Sequence, residues 1–327
     1  MTLTSGNTRF LAHGIALCFA TVMVVATRQV TAATTPPSGP LVHATQKQVL
    51  TRVTAPPPTR PDLLHPEPWL AGVTQEPEVG PVTLYGPPSN VPVRGLALFA
   101  SGDGGWNLGV IDMARRAAAS GLWVAGFSTP TYFRSLATKP ASVCANAAGT
   151  LKTLATSLEG QLGLDTRLPV VLIGYSSGAT LVYAALIQAQ PGVFQGGLSL
   201  GFCPELEVRH PFCPGVGNLS VTRSKMPPHW PALVRNTRVQ APWHILQGEI
   251  DEVCAPSYAP QFVAGVPGAK AWVLPHVGHG FGYPRNWGLQ YIQALDSLLP
   301  NRSIGPASAA PEAPARPAPL PGRNAGH

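Results

Sequence analysis

The sequence predicts an α/β fold: a mostly parallel sheet flanked by helices, with an irregular cap-like insertion. Two observations predict it. Short, continuously apolar runs recur through the middle of the chain, as expected of strands covered on both faces. Stretches with helical spacing separate them, and that alternation is the pattern of a parallel sheet. A third observation narrows the fold. One glycine-flanked serine falls between such a run and such a stretch, with an acid and a histidine later in the chain.

In chain order, the expected strands are Val82 to Tyr85, Leu96 to Ala100, Leu122 to Phe127, Val170 to Ile173, Gly197 to Leu200, Trp243 to Leu246 and Ala271 to Leu274. The expected helices are Ile111 to Ser120, Ala145 to Gln161, Ala179 to Gln190, Pro256 to Val263 and Tyr291 to Leu299. Residues 204–241 break the rhythm. They are rich in proline and basic side chains and have no clear period, so they are expected to form the cap-like insertion. Composition places one domain at residues 69–300. A Pro-, Thr- and Ala-rich linker precedes it at 34–68, and a Pro/Ala/Gly tail follows at 301–327.

The N-terminus reads as a leader. Arg9 precedes the apolar run Phe10 to Ala26, and small residues at Ala32 and Ala33 suit cleavage. Residues 1–33 are therefore expected to direct export, and an uncleaved inner-membrane anchor is the alternative. Cys144, Cys203, Cys213 and Cys254 would remain after cleavage. An even set in an oxidising compartment predicts disulfides. Cys203 and Cys213 flank a short loop and are the first-choice pair, which leaves Cys144 with Cys254. Sequence alone leaves all three connectivities open. The net charge of +7 lies partly in the terminal segments and suits an anionic membrane surface or a plain solvated one. No aromatic–basic pattern points to nucleic acid.

The chemistry centres on Gly174-Tyr175-Ser176-Ser177-Gly178. A serine on a sharp strand-to-helix turn, with no side chain on the flanking glycines, is the nucleophile elbow of an α/β-hydrolase. A serine hydroxyl needs a base, and this fold orders the partners as serine, acid, histidine. Asp251 follows the late strand Trp243 to Leu246, with Glu249 and Glu252 as rivals. His279 follows the last strand between two glycines, with His276 as its rival. Ser101-Gly102-Asp103-Gly104-Gly105-Trp106 follows an early strand, where such enzymes place a second oxyanion donor. The expected donors are Asp103, Gly104 and Ser177. Asp103, Trp106 and Tyr175 are the expected substrate contacts. The glycine loop lacks the Lys-Ser/Thr ending of a phosphate loop, and neither a cofactor nor a metal is expected.

Together Ser101–Trp106, Gly174–Gly178 and Gly278-His279 resemble the VirJ/AcvB bacterial virulence protein family. The resemblance covers roughly Val79 to Pro300. It implies a periplasmic α/β-hydrolase that cleaves aminoacylated phosphatidylglycerol, notably the lysyl form. It also implies a link to secretion-system proteins, so a non-catalytic binding or chaperone role is a further reading. A general secreted carboxylesterase or lipase would share the same triad. A lysyl headgroup is cationic and calls for carboxylates. Asp103 is the first choice, with Asp112, Glu249 and Glu252 nearby in the loops.

Overall fold

The computed structural model describes residues 69–225 and 228–300. The expected leader (1–33), linker (34–68) and tail (301–327) lie outside the described residues. In chain order the strands are β1 (Trp69–Glu76), β2 (Gly80–Gly86), β3 (Gly95–Ala100), β4 (Leu122–Phe127), β5 (Val170–Tyr175), β6 (Gly196–Leu200), β7 (Val221–Arg223), β8 (Pro231–Leu233), β9 (Trp243–Gly248) and β10 (Lys270–Leu274). The helices are α1 (Leu108–Ala119), α2 (Thr129–Ala137), α3 (Ala147–Leu162), α4 (Ser177–Gln188), α5 (Tyr258–Val263) and α6 (Gly288–Leu298).

Eight strands form one sheet in the order β1-β2-β4-β3-β5-β6-β9-β10. β1 and β2 join antiparallel, and β3 to β6, β9 and β10 run parallel. This is the α/β-hydrolase fold. β3, β6 and β9 are buried along their whole length. Helices cover both faces, which is why these strands read as unbroken apolar runs. One face packs against α2, α3, α4 and α5 through side chains such as Leu151, Tyr183 and Phe262. The other packs against α1 and α6 through Met113, Tyr291 and Leu295.

β1 and α2 escaped the sequence reading, as did the short strands β7 and β8 of the insertion. β1 lies at the sheet edge and carries an irregularity at Gly72, which blurs its alternation. α2 is short and opens on Ser128, whose hydroxyl accepts from Thr131 N–H, with Pro130 in its first turn.

The irregular insertion contains the β7–β8 hairpin and runs beside α4. Val216 and Gly217 donate their N–H groups to the carbonyls of Gln188 and Ile187, and Gln240 donates to Leu186. Leu206, Leu219, Leu233 and Val239 join the core.

The cysteine pairing corrects the first-choice expectation. The bonds are Cys144–Cys213 and Cys203–Cys254, not Cys203–Cys213 and Cys144–Cys254. Chain proximity misled because the segment after Cys203 does not turn back on itself. Ala145 donates its N–H to Pro211 and accepts from Cys213 N–H, which zips Cys213 against Cys144. Cys203 is left at the end of β6, beside the loop that follows β9. The two disulfides suit an oxidising environment. Among the described residues, no helix is long and apolar enough to cross a membrane.

Candidate active site

Ser176 sits between β5 and α4 with φ 55° and ψ −121°. That conformation costs an L-residue about 1–3 kcal/mol, so the surroundings must enforce it. They do so from both sides. Ser176 N–H donates to Leu200 on β6, and its carbonyl accepts from Ala179 and Thr180. The flanking glycines are forced by contact. A Cβ on Gly174 would stand 2.1 Å from the Gly178 carbonyl oxygen, and one on Gly178 would stand 2.2 Å from that of Ala100. Ser177 opens α4, so its N–H belongs to the first turn, where helical donors lack internal partners.

The three expected residues meet. His279 Nε2 lies 2.9 Å from Ser176 Oγ. His279 Nδ1 lies 2.9 Å from Asp251 Oδ2. An ionised Asp251 only accepts, so Nδ1 carries the proton and Nε2 faces the serine hydroxyl as acceptor. The Asp251 side chain is fully buried. Burial pushes its carboxyl up, but the His279 ring and the N–H groups of Cys254 and Val253 outweigh that and hold it below its ordinary range. The rivals stand aside. Glu249 and Glu252 are exposed, and the Glu249 carboxylate approaches the His276 N–H.

Gln247 and Gly201, which the sequence reading missed, hold this arrangement together with a disulfide. Gln247 is completely buried at the end of β9. Its Nε2 donates to Asp251 Oδ2 and to the Cys254 carbonyl, each at 2.9 Å. Its Oε1 accepts from Phe202 N–H. A glutamine near the end of a buried strand, four residues before the acid, was the available signal. Gly201 has φ +60°, and a Cβ there would stand 3.2 Å from the His279 ring. Cys203–Cys254 then ties the chain after β6 to the acid loop.

Tyr175, an expected substrate contact, donates its hydroxyl to the His279 carbonyl at 3.0 Å, with its ring 5.5 Å from the imidazole. It braces His279 and also lines a cavity of about 200 Å³ beside the site. Burial, aided by the carboxylates of Asp251 and Asp103, raises its phenol.

The Ser101–Trp106 loop is stapled at its base. Thr129 N–H donates to Ser101 Oγ, and Thr129 Oγ1 donates to the Ser101 carbonyl. Gly105 N–H is spent on the Gly102 carbonyl in a tight turn. Asp103 and Gly104 stand exposed at the tip. A Cβ on Gly102 would lie 3.0 Å from Ser176 Cβ, so the loop abuts the nucleophile. Trp106, an expected substrate contact, is half-buried, and its indole lies across Gly126, where a Cβ would fall 1.9 Å from the ring. It meets Phe99 edge-on at 5.5 Å. Glycine at 126 leaves a slot in β4 that this ring fills.

Asp251, Cys254 and His279 gather potential metal-ligating atoms. The Cys254 sulfur is bonded to Cys203, and both His279 nitrogens are engaged, so the group has no free ligand set.

The model of the family described as bacterial virulence protein VirJ matches residues 95–195. The expected resemblance therefore holds over the stretch that carries Ser101–Trp106 and Gly174–Gly178. Asp251 and His279 lie beyond it. No curated protein matches the chain in sequence. Among solved structures, the chain is similar to Est1E from Butyrivibrio proteoclasticus, at 13% identity and a TM-score of 0.42, covering 67% of this chain and 94% of that one. It is similar to the esterase domain of a Rhodothermus marinus protein, at 16% identity and a TM-score of 0.45, covering 67% and 92%. It is also similar to Thermogutta terrifontis esterase 2, at 14% identity and a TM-score of 0.45, covering 68% and 90%. Likenesses this distant concern fold alone, and the fold assignment stands on strand order and direction.

Proposed function

We propose that this chain is an exported serine hydrolase that cleaves carboxylic esters through Ser176, His279 and Asp251. The observation that carries the reading is the unbroken relay of two 2.9 Å contacts ending on a strained serine. In this reading Ser176 Oγ attacks the ester carbonyl as His279 Nε2 takes its proton. The N–H of Ser177 and an N–H at Asp103 or Gly104 receive the developing negative charge. The alcohol leaves with the proton held on His279. Water, activated by the same imidazole, then attacks the acyl-enzyme and releases the acid. Asp251 holds the imidazole in the working tautomer and balances its transient charge.

The natural substrate we propose is aminoacylated phosphatidylglycerol in the periplasm, with the lysyl form as the starting point, on the strength of the family resemblance. The exposed Asp103 is the proposed partner for a substrate ammonium, and an anionic membrane surface is the proposed partner of the protein. A general secreted carboxylesterase is the second reading, favoured by the neutral lining of the cavity beside Ser176. The test is lysine release from lysyl-phosphatidylglycerol by the mature protein beside its Ser176→Ala variant. Release by the first alone supports the lipid substrate. Cleavage of p-nitrophenyl esters but not of the lipid supports the general esterase. Inactivity on both, with retained binding to secretion-system proteins, supports a docking role. Asp103→Asn should raise KM for the lysyl lipid more than for a neutral ester. Equal KM changes on both substrates would remove Asp103 from recognition.

A further inference from the structure

We infer that a second cavity, of about 530 Å³ and remote from Ser176, binds a small organic ammonium compound, with Glu76 as the anchor for its cationic end. The cavity lies where the turn between β1 and β2 meets α2 and the first turns of α3. Ser176, Asp251 and His279 are all absent from its lining. β2 stands three strands from β5 in the sheet order, so roughly 14 Å of sheet separates that turn from the nucleophile elbow at about 4.8 Å per strand. The volume lies within the range of roughly 300–1,000 Å³ that suits a small organic molecule.

Glu76 closes β1 and is only 7% exposed. A carboxylate so buried calls for hydrogen bonds and a counter-charge. Its Oε1 has the first, accepting from Gln161 Nε2 at 2.7 Å and from Ser157 Oγ at 3.4 Å. Gln161 is fixed in turn, because its Oε1 accepts from Thr74 Oγ1 at 3.1 Å. Among the described residues, Glu76 Oε2 takes no hydrogen bond and no Lys, Arg or His pairs with this carboxylate. Ser157 and Gln161 lie outside the cavity lining, whereas Glu76 belongs to it, so the unclaimed oxygen is the one left for the cavity.

Glu78, two residues on, is already satisfied, because Lys139 and Thr150 both donate to it. Burial pushes its carboxyl up, but those two partners outweigh that and hold it below its ordinary range. The charged side chains of the lining are thus two carboxylates against one ammonium, and the charge left unbalanced is that of Glu76. A cation gains there what Glu76 lacks, and an anion would meet repulsion. One free oxygen does not serve a hard metal ion, which wants about six or more. Val79, Leu136, Val143 and Leu154 supply apolar wall, which suits a short carbon chain behind the ammonium.

The test is isothermal titration of the full chain with 1,5-diaminopentane, with hexanoate as a chain of opposite charge. The diamine should bind and hexanoate should not. Glu76→Gln keeps the shape of the side chain and the oxygen that Gln161 bonds. It should weaken the diamine about 10- to 100-fold, the range of one charge-assisted hydrogen bond. Lys139→Met frees Glu78 and should tighten the diamine about two- to fivefold, the worth of a part-exposed charge pair. That opposite sign separates the site from a merely loosened fold, which would weaken binding in both variants. Ser176→Ala should bind as the wild type does, whether or not the chain hydrolyses esters. A wild type that ignores the diamine, or takes hexanoate equally well, would overturn the site. Unchanged affinity in Glu76→Gln or weaker binding in Lys139→Met would overturn it as well. Loss of binding in Ser176→Ala would move the diamine to the triad and overturn it too.

Discussion

The two flanks of Ser176 are held by different means. On the acid side, Asp251 accepts from Gln247, His279, Val253 and Cys254, and its loop is tied by a disulfide to the chain after β6. On the oxyanion side, the Ser101–Trp106 loop is stapled at Ser101, by one tight turn and by Asn107 Nδ2 donating to the Gly104 carbonyl, and its tip is exposed. The difference follows chemical need. A buried carboxylate must have its lone pairs satisfied or it will take up a proton, whereas in the proposed reaction the loop's backbone donors must stay unclaimed until charge develops. Rigidity is concentrated where a permanent charge is buried.

The largest expected effect falls on the relay. Ser176→Ala should lower kcat by roughly 10⁴- to 10⁶-fold, and Asp251→Asn by about 10⁴-fold, measured on any ester that the wild type cleaves. Near-normal turnover by either variant would move the nucleophile or the acid elsewhere, with Ser177 or Glu249 next in line.

Gln247→Leu sharpens the comparison. It removes one Asp251 donor, orphans the Phe202 N–H and leaves the acid loop to the Val253 and Cys254 N–H groups and the disulfide. We expect kcat to fall about 10- to 100-fold with KM little changed, the usual range for groups that orient an active side chain. An equal change in KM would instead mean that the whole site had shifted. Removing the disulfides separates the flanks further. The two bonds close segments of 51 and 69 residues, so loss of either should cost about 4 kcal/mol in the chain-entropy estimate. Below the melting point, however, loss of Cys203–Cys254 should lower kcat, while loss of Cys144–Cys213 should not. Equal kcat for the two would show that Gln247 and the backbone N–H groups suffice to place Asp251.

The smallest effect is on stability against pH. The Asp251 carboxyl is held below its ordinary value of about 3.9, so its stabilising contribution is complete above that value and fades as pH falls through the folded-state value. Denaturant midpoints below about pH 4 should therefore drop more steeply for the wild type than for Asp251→Asn. Parallel curves would mean that the native state does not favour the ionised form.

Much of the fold was legible because its signals are local. Continuous apolar runs marked β3, β4, β5, β6, β9 and β10, and the glycines at 174 and 178 marked the elbow because steric exclusion acts on immediate neighbours. Ser176, Asp251 and His279 were legible for the same reason: each lies at a strand end whose loop the sequence pattern locates. β1 and α2 were missed because an edge strand with an irregularity and a single short helix carry little periodicity.

What the sequence determined by itself was the succession of elements and the residue types at the strand ends. Only the tertiary structure decided which cysteines pair, that Trp106 packs into the slot at Gly126, and that Gln247 and Gly201 support Asp251 and His279. Those outcomes depend on contacts between segments tens of residues apart. Chain separation carries no information about such distances, and close packing decides them only when the sheet has formed.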